Sequence, residues 1–363
     1  MNKTIYEVLE MLDSHGYESY VIGGYVRDLL LKRNESCDVD ITTSAKPKEV
    51  VDLFSNYDVK LYEYGNVSFT LDKYSFDITT FRKELKYVGN RKPEKIVYID
   101  SLEEDLKRRD FTINTICLDK DNNIVDYYDG RKDIKRKMIR AVGDPHVKLK
   151  EDALRILRAV RFATIYKYRL DDDLKAAIMD NKDLLKNISY ERKKEELNKI
   201  FCSRYKKYGI KLLKQLKLLE PLELKNIDNV LLTNDLTGMW STITDVDYAF
   251  TKKEKTIINK INLLLKENNI NDKFVQYKYG MFPLNIVSDL LKLNTKKIIS
   301  NYDKLPIKDK IEIKIQANEI CEVLNKEPGD FIKEVFAELE KEILLGNLEN
   351  DNRKLKEYVK NNF

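Results

Sequence analysis

Histidine is nearly missing from this chain: His15 and His146 are the only two in 363 residues. That all but excludes histidine-ligated metal centres, an appended His-Asp phosphohydrolase module and nucleophile–His–Asp triads. The four cysteines, Cys37, Cys117, Cys202 and Cys321, lie far apart and form no CxxC pair. A structural zinc site is therefore not expected, and reduced thiols point to a cytoplasmic protein. No stretch approaches the ~18 consecutive apolar residues of a membrane span. The N-terminal TIYEVLEML (residues 4–12) reads as an amphipathic helix with Ile5, Val8, Leu9 and Leu12 on one face, not as a secretory leader.

Charge of one sign is also not in large excess, since 66 basic residues face 61 acidic ones for a net charge of +5. Overall charge does not identify a nucleic-acid partner. Its distribution says more: residues 131–161 carry eleven Lys and Arg against four Asp and Glu. Such a local basic surface attracts phosphates.

Residues 1–130 alternate β-branched or aromatic runs with polar turns: YVIGG (20–24), DVDITT (38–43), NVSFTL (66–71), SFDITTF (75–81) and FTINTICL (111–118). After about residue 135 the texture becomes Leu/Ile/Lys/Glu with helical periodicity, as in residues 210–219, 255–268 and 330–348. The expected fold class is α+β, a mixed sheet with helices followed by an all-helical remainder. Pro221, residues 234–237 and residues 299–310 are the candidate breaks.

Chemistry concentrates first in VIGGYVRDLLLKRNESCDVDITT, residues 21–43. Gly23 and Gly24 join a strand end to a short helix, and without Cβ atoms their backbone N–H groups can approach an anion closely. Taken alone this is also an ordinary turn. Asp38 and Asp40 flank Val39 on the next strand, and i, i+2 side chains share a face. Two adjacent carboxylates repel unless a cation neutralises them, and hard oxygen donors favour Mg²⁺. A single DxD is equally a strand end facing water. Asp77, on the polar face of a later strand, supplies a third carboxylate. Three strand-borne aspartates beside a glycine-rich loop suit nucleotidyl transfer with two Mg²⁺ ions.

The sequence Gly23-Gly24-Tyr25-Val26-Arg27-Asp28 followed by Asp38-Val39-Asp40 resembles the signature of polymerase-β-like nucleotidyltransferases. More narrowly, it resembles the class II tRNA nucleotidyltransferase and bacterial poly(A) polymerase family. RRDFTINTI (108–116), DYYDGRKDI (126–134), EDALRILRAVRF (151–162) and SYERKKEELNKI (189–200) match further motifs of that family in order. The resemblance implies a catalytic head over 1–137, a base-recognising neck over 138–200, a body over 201–268 and a tRNA-binding tail over 269–363. It implies that Asp38 and Asp40 hold the metals with Asp77 assisting, where many relatives carry Glu. It further implies that Gly23, Gly24 and Arg27 bind the nucleotide, that Arg27 and Asp28 organise the phosphate loop, and that Arg109, Asp110 and Asn114 contact nucleotide phosphate and ribose. Asp110 or Asn114 would serve the 2′-hydroxyl. Glu191, Arg192 and Glu196 would support the site from beneath. The basic run at 131–150 divides between solvated face and tRNA-acceptor surface.

The fourth motif raises the question of specificity. Read as one helix, residues 151–163 carry an apolar stripe, with Asp152, Arg155, Arg158 and Arg161 on the opposite, wet side. An ionised Asp only accepts hydrogen bonds and Arg only donates them. Cytosine and adenine each present an amino donor beside a ring acceptor, whereas guanine and uracil present the reverse. Asp152 and Arg155 can thus select CTP and ATP together without a template, since an unmade bond in a dry pocket costs roughly 1–3 kcal/mol. On this reading, loss of Arg155 harms nucleotide choice more than folding. Arg158 and Arg161 either bind triphosphate or primer, or hold the helix through ion pairs.

The expected activity is CCA addition to tRNA 3′ ends. An A-adding or CC-adding partial enzyme, or a poly(A) polymerase, is the alternative within the family. A noncatalytic RNA-binding protein on the same scaffold is the alternative outside it. Residues 82–93, RKELKYVGNRKP, resemble the family's full-length flexible loop, with Arg82, Glu84, Tyr87, Arg91 and Pro93 in register, which disfavours a CC-adding enzyme.

Overall fold

The structure, a computed structural model, describes residues 2–33, 37–88 and 92–363. Of the residues read above in the 82–93 segment, Arg91 and the side chains of Tyr87 and Pro93 lie outside the described residues. The chain forms two compact units, 1–224 and 225–363, with the boundary three residues after Pro221 and inside the segment read as the body.

The first unit opens with α1 (Lys3–Ser14), whose Ile5, Val8, Leu9 and Leu12 are buried as the periodicity predicts. A seven-stranded sheet follows, made of β1 (Ser19–Ile22), β2 (Asp38–Thr43), β3 (Lys60–Leu61), β4 (Asn66–Leu71), β5 (Tyr74–Thr80), β8 (Cys117–Leu118) and β9 (Ile124–Val125). Its spatial order is β3-β4-β5-β2-β1-β8-β9. The β2–β5 pair is parallel and the other pairs are antiparallel. Helices α2 (Gly24–Leu30) and α3 (Pro47–Leu53) punctuate it. Alternation in β2 buries Val39 and Ile41 and leaves Asp38 and Asp40 exposed. The core beneath joins the apolar face of α1 to Val21, Val39, Ile41, Phe76 and Ile78, with Phe54, Tyr57, Phe69 and Phe76 in successive ring contacts.

Three expectations change. Residues 82–98 are an antiparallel hairpin, β6 (Arg82–Val88) and β7 (Lys92–Tyr98), rather than a loop. In FTINTICL only the last two residues are strand. Phe111 makes an isolated bridge to Ala141, and Thr112–Asn114 form a helical turn. Side chains decide this locally, because Thr115 donates to the Thr112 carbonyl and Asn114 to Asp110. Third, residues 151–163 are not one helix. Between β7 and this region run α4 (Leu102–Lys107) and α5 (Gly130–Arg136). Then α6 (Pro145–Glu151) ends at Asp152, whose backbone is extended (φ −139°, ψ 105°), and α7 (Leu154–Tyr166) starts anew. The Asp152 carboxylate accepts from the Leu154 N–H at 3.1 Å, satisfying one donor at the start of α7. A short parallel pair, β10 (Met138–Ile139) with β11 (Arg169–Leu170), brackets α6 and α7. Helices α8 (Asp172–Asn181), α9 (Tyr190–Phe201) and α10 (Lys206–Gln215) complete the unit.

The second unit is helical: α11 (Leu236–Ile243), α12 (Lys252–Leu264), α13 (Lys273–Tyr279), α14 (Met281–Leu290), α15 (Thr295–Asp303), α16 (Ala317–Leu324), α17 (Phe331–Leu345) and α18 (Asn352–Asn362). A reciprocal Thr251/Glu254 cap starts α12. Two apolar clusters hold the unit, one around Leu264, Leu284 and Val287, the other around Ile320, Val335, Leu339 and Leu355. Among the described residues, no helix is long and apolar enough to cross a membrane.

Candidate active site

A cavity of about 540 Å³ opens in the first unit, lined by Gly23, Gly24, Arg27, Asp40, Arg109, Asp110, Asn114, Asp152, Arg155, Arg158, Arg161, Phe162, Ile165 and Tyr166. The eleven lining residues from Gly23 to Arg161 all come from the motifs picked out in the sequence; Asp38 and Asp77 do not line the cavity.

At one end of the cavity the strand register sets the acidic cluster. Asp40 of β2 is the direct parallel partner of Asp77 of β5, and Asp38 faces Ser75. Gly23 has φ +75°, and a Cβ there would stand 2.9 Å from Asp40 Oδ2, so the loop touches the carboxylate only because residue 23 is glycine. Desolvation in this crowded corner is the chief cause that pushes the Asp40 carboxyl above its ordinary range. The Arg109 charge opposes it, Asp77 and Asp38 add to it, and Arg27 opposes it again. Asp77 is engaged sideways, accepting from Ser68 and, at 3.5 Å, from Asn66. Among the described residues, Asp40 has no hydrogen-bond or ion-pair partner, and no three His, Cys, Asp or Glu side chains surround one point. Two crowded carboxylates without a full protein cage fit Mg²⁺. That ion commonly takes one or two carboxylates and completes its shell with water and substrate phosphate.

Next to the acidic corner lie the residues of the RRD motif. Asp105, fully buried, is the hub that aims them. It accepts from Arg108 Nε at 2.8 Å, Arg109 Nη2 at 3.4 Å, Thr42 Oγ1 at 3.2 Å and the Arg82 N–H at 3.0 Å. Burial alone would raise its carboxyl, but Arg108 and Arg109 hold it below the ordinary value. Arg109 Nε is buried with no partner, so Arg109 is the least committed arginine of the cavity. Arg27 donates to Asn114 Oδ1 at 2.6 Å and lies 3.3 Å from Asp28, and Asn114 in turn donates to Asp110 at 2.9 Å.

Asp110 is saturated. Oδ1 accepts from its neighbour's Phe111 N–H and from Asn114, while Oδ2 accepts both Nε and Nη2 of Arg158. A carboxylate offers about four acceptor positions. A ribose hydroxyl therefore reaches Asp110 only by displacing a donor, and Asn114 is the better placed of the two expected 2′-hydroxyl partners.

The fourth motif departs most from expectation. Asp152 and Arg155 do not share a helix face, because Asp152 occupies the break, yet both line the cavity. The arginine side is not wet: Arg155 is 7% and Arg161 9% exposed. Arg155 donates to the Lys148 carbonyl (2.8 Å), Glu151 (2.6 Å) and the Arg108 carbonyl (2.8 Å). These bonds make it a structural tie between α6, α7 and the RRD motif, so loss of Arg155 costs folding, against the expectation that it would spare it. Arg161 pairs with buried Glu196 at 3.1 Å, and Arg192 lies 3.7 Å from Asp152. Sequence reading missed Asp105, Phe162, Ile165 and Tyr166. Asp105 stands three and four residues before Arg108 and Arg109, and that helical spacing was its only signal.

A mixed-sheet head with paired strand aspartates, a close glycine turn and an arginine-lined cavity defines a nucleotidyltransferase. Residues 19–140 match the poly A polymerase head domain, 167–228 the RNA- and SrmB-binding site of polymerase A, and 247–359 tRNA nucleotidyltransferase domain 2. The chain belongs to the CCA-adding enzyme family of tRNA nucleotidyltransferases. It is 35% identical to the CCA-adding enzyme of Ligilactobacillus salivarius, over 97% of this chain and 95% of that one. To the Bacillus pumilus CCA-adding enzyme it is 32% identical, over 97% and 95%. The crystal structure of the Bacillus stearothermophilus CCA-adding enzyme in complex with CTP is similar with a TM-score of 0.81 and 25% identity, covering 99% of this chain and 97% of that one.

Proposed function

We propose that this chain restores tRNA 3′ ends in the cytoplasm by adding C, C and A from CTP and ATP, with two Mg²⁺ ions. The observation that carries the reading is a single cavity joining the Asp40 corner and the Gly23–Gly24 turn to Asp152 and Arg155. Relatives over nearly the whole chain named as CCA-adding enzymes favour the complete activity over a partial one.

Asp38 and Asp40 would hold the metal ions, with Asp77, the partner of Asp40 across the strand pair, assisting as third carboxylate. The chemistry such ions would supply is a lowered pKa of the primer 3′-hydroxyl and neutralisation of the triphosphate. The remaining work belongs to the chain. Gly23 and Gly24 bring backbone N–H groups to the phosphates, and Arg27, Arg109, Arg158 and Arg161 surround them with positive charge. Asn114 meets the ribose. Asp152 accepts from the amino group of cytosine or adenine, and Arg155 donates to the adjacent ring nitrogen. The primer 3′-oxygen then bonds to the α-phosphorus as pyrophosphate leaves. In this reading residues 1–137 are the catalytic head, 138–200 the neck and 201–268 the body, and the tail over 269–363 holds the tRNA.

The test offers tRNA primers ending in the discriminator base, in C or in CC, with each NTP separately. Ordered addition of C, C and A followed by arrest supports the proposal. Long A tracts would identify a poly(A) polymerase, and incorporation of only one nucleotide type a partial enzyme. No incorporation on any primer would leave an RNA-binding scaffold.

A further inference from the structure

Five arginines line one cavity, and charges of one sign packed together must be stabilised without being used up. Carboxylates do part of this, as Asp110 does for Arg158 and Glu196 for Arg161. Each such bond, however, consumes N–H donors that a bound phosphate would need.

Two aromatic rings on α7 add to this for three of the five. Three guanidiniums converge on Phe162: Arg161 at 4.4 Å, Arg27 at 5.2 Å and Arg158 at 5.4 Å from the ring centroid. Two more contacts fall on Tyr166, Arg33 at 4.7 Å and Arg27 at 4.9 Å. The rings lie 6.3 Å apart and 18° from parallel, so Arg27 is shared between them. A guanidinium over a ring is held by the π-face while its in-plane N–H fork stays available for an anion. The Tyr166 hydroxyl donates to Asp28 Oδ1 at 2.9 Å, the oxygen that Arg27 Nε approaches at 3.3 Å. Arg27 is thereby fixed by rings, by Asp28 and by Asn114.

We propose that Phe162 and Tyr166 are positioning residues that array these arginines as a receptor for the triphosphate arm of the substrate. The inference rests on reading the cavity as a nucleoside triphosphate site. Packing alone would ask less of these positions. Phe162 does meet Phe111 edge-on at 5.8 Å, a contact that another apolar side chain can replace. Tyr166 is only half-buried, and besides Phe162 and Tyr168 (5.7 Å) its ring meets two cations.

The test compares Tyr166→Phe, which keeps the ring, with Tyr166→Leu, which keeps apolar bulk without a π-face; Phe162→Leu is the second position. Binding of tripolyphosphate, CTP and CMP is titrated calorimetrically on the full chain, with thermal melts alongside. The leucine variants should bind tripolyphosphate and CTP about tenfold more weakly while losing little for CMP, and Tyr166→Phe should stay near wild type. A merely structural role would not grade with phosphate number or be rescued by phenylalanine. Equal losses for CMP and CTP, unchanged tripolyphosphate binding in Tyr166→Leu, or a Tyr166→Phe variant as weak as Tyr166→Leu would overturn the inference. Wild-type protein that binds neither tripolyphosphate nor CTP would overturn the nucleotide reading and this inference with it.

Discussion

Arg158 places Nε at 2.8 Å and Nη2 at 2.5 Å from a single oxygen of Asp110, a residue 48 positions earlier in the chain. This pair joins the RRD motif to α7, and through Asn114 it continues to Arg27 at the glycine turn. The glycine turn, the RRD motif and α7 are therefore joined in one hydrogen-bonded frame.

The frame has a pH signature. Burial would raise the Asp110 carboxyl, but the Arg158 charge, the Asn114 hydrogen bond and Arg155 together lower it from 3.8 to about 2. A carboxyl whose folded pKa is depressed stabilises the fold above its unfolded value and loses that contribution as pH falls through the folded value. Chemical denaturation between pH 2 and 6 should show about 2 kcal/mol of stability present above pH ~4 and lost toward pH ~2. Asp110→Asn should be less stable than wild type at pH 6, with the gap closing in acid.

Arg155→Ala should cost both recognition and stability. It strips the Lys148 and Arg108 carbonyls and Glu151 of a buried donor. A loss of about 2 kcal/mol in urea denaturation is expected. Misincorporation of UTP and GTP should rise relative to CTP and ATP. A variant that keeps full discrimination would remove Arg155 from base reading.

Asp38→Ala and Asp40→Asn should each abolish incorporation of both C and A on every primer. The melting temperature of Asp40→Asn should match or exceed that of wild type, since among the described residues Asp40 has no hydrogen-bond or ion-pair partner and stands beside Asp77. Primer extension and thermal melts measure the two effects separately.

Gly23→Ala forces a side chain into φ +75° and within 2.9 Å of the Asp40 carboxylate. A destabilisation of about 1–3 kcal/mol is expected, together with a rise in KM for CTP. Steady-state kinetics and melts check both.

Much of this protein is readable locally. Strict alternation around Val39 and Ile41 places Asp38 and Asp40 on the open face of a strand. The 3.6-residue spacing of Ile5, Val8, Leu9 and Leu12 fixes α1 and its buried side. The helical segments of the second unit follow from the same rule. Periodicity reports which side of an element a residue occupies, and these cases need nothing more.

It does not report the partner. The sequence by itself determined the elements that carry the aspartates, the glycine turn and the arginines, because a strand or helix face is set by neighbours a few residues away. Only the tertiary structure decided that Asp40 lies opposite Asp77, and that Asp105 aims Arg109. It also decided that the chain breaks at Asp152, and that the charged side of α7 pairs with Asp110 and Glu196. A row of arginines at helical spacing looks wet when burying a charge is costly. Here the carboxylates of Asp110 and Glu196, from distant parts of the chain, offset that cost, and no local pattern contains them.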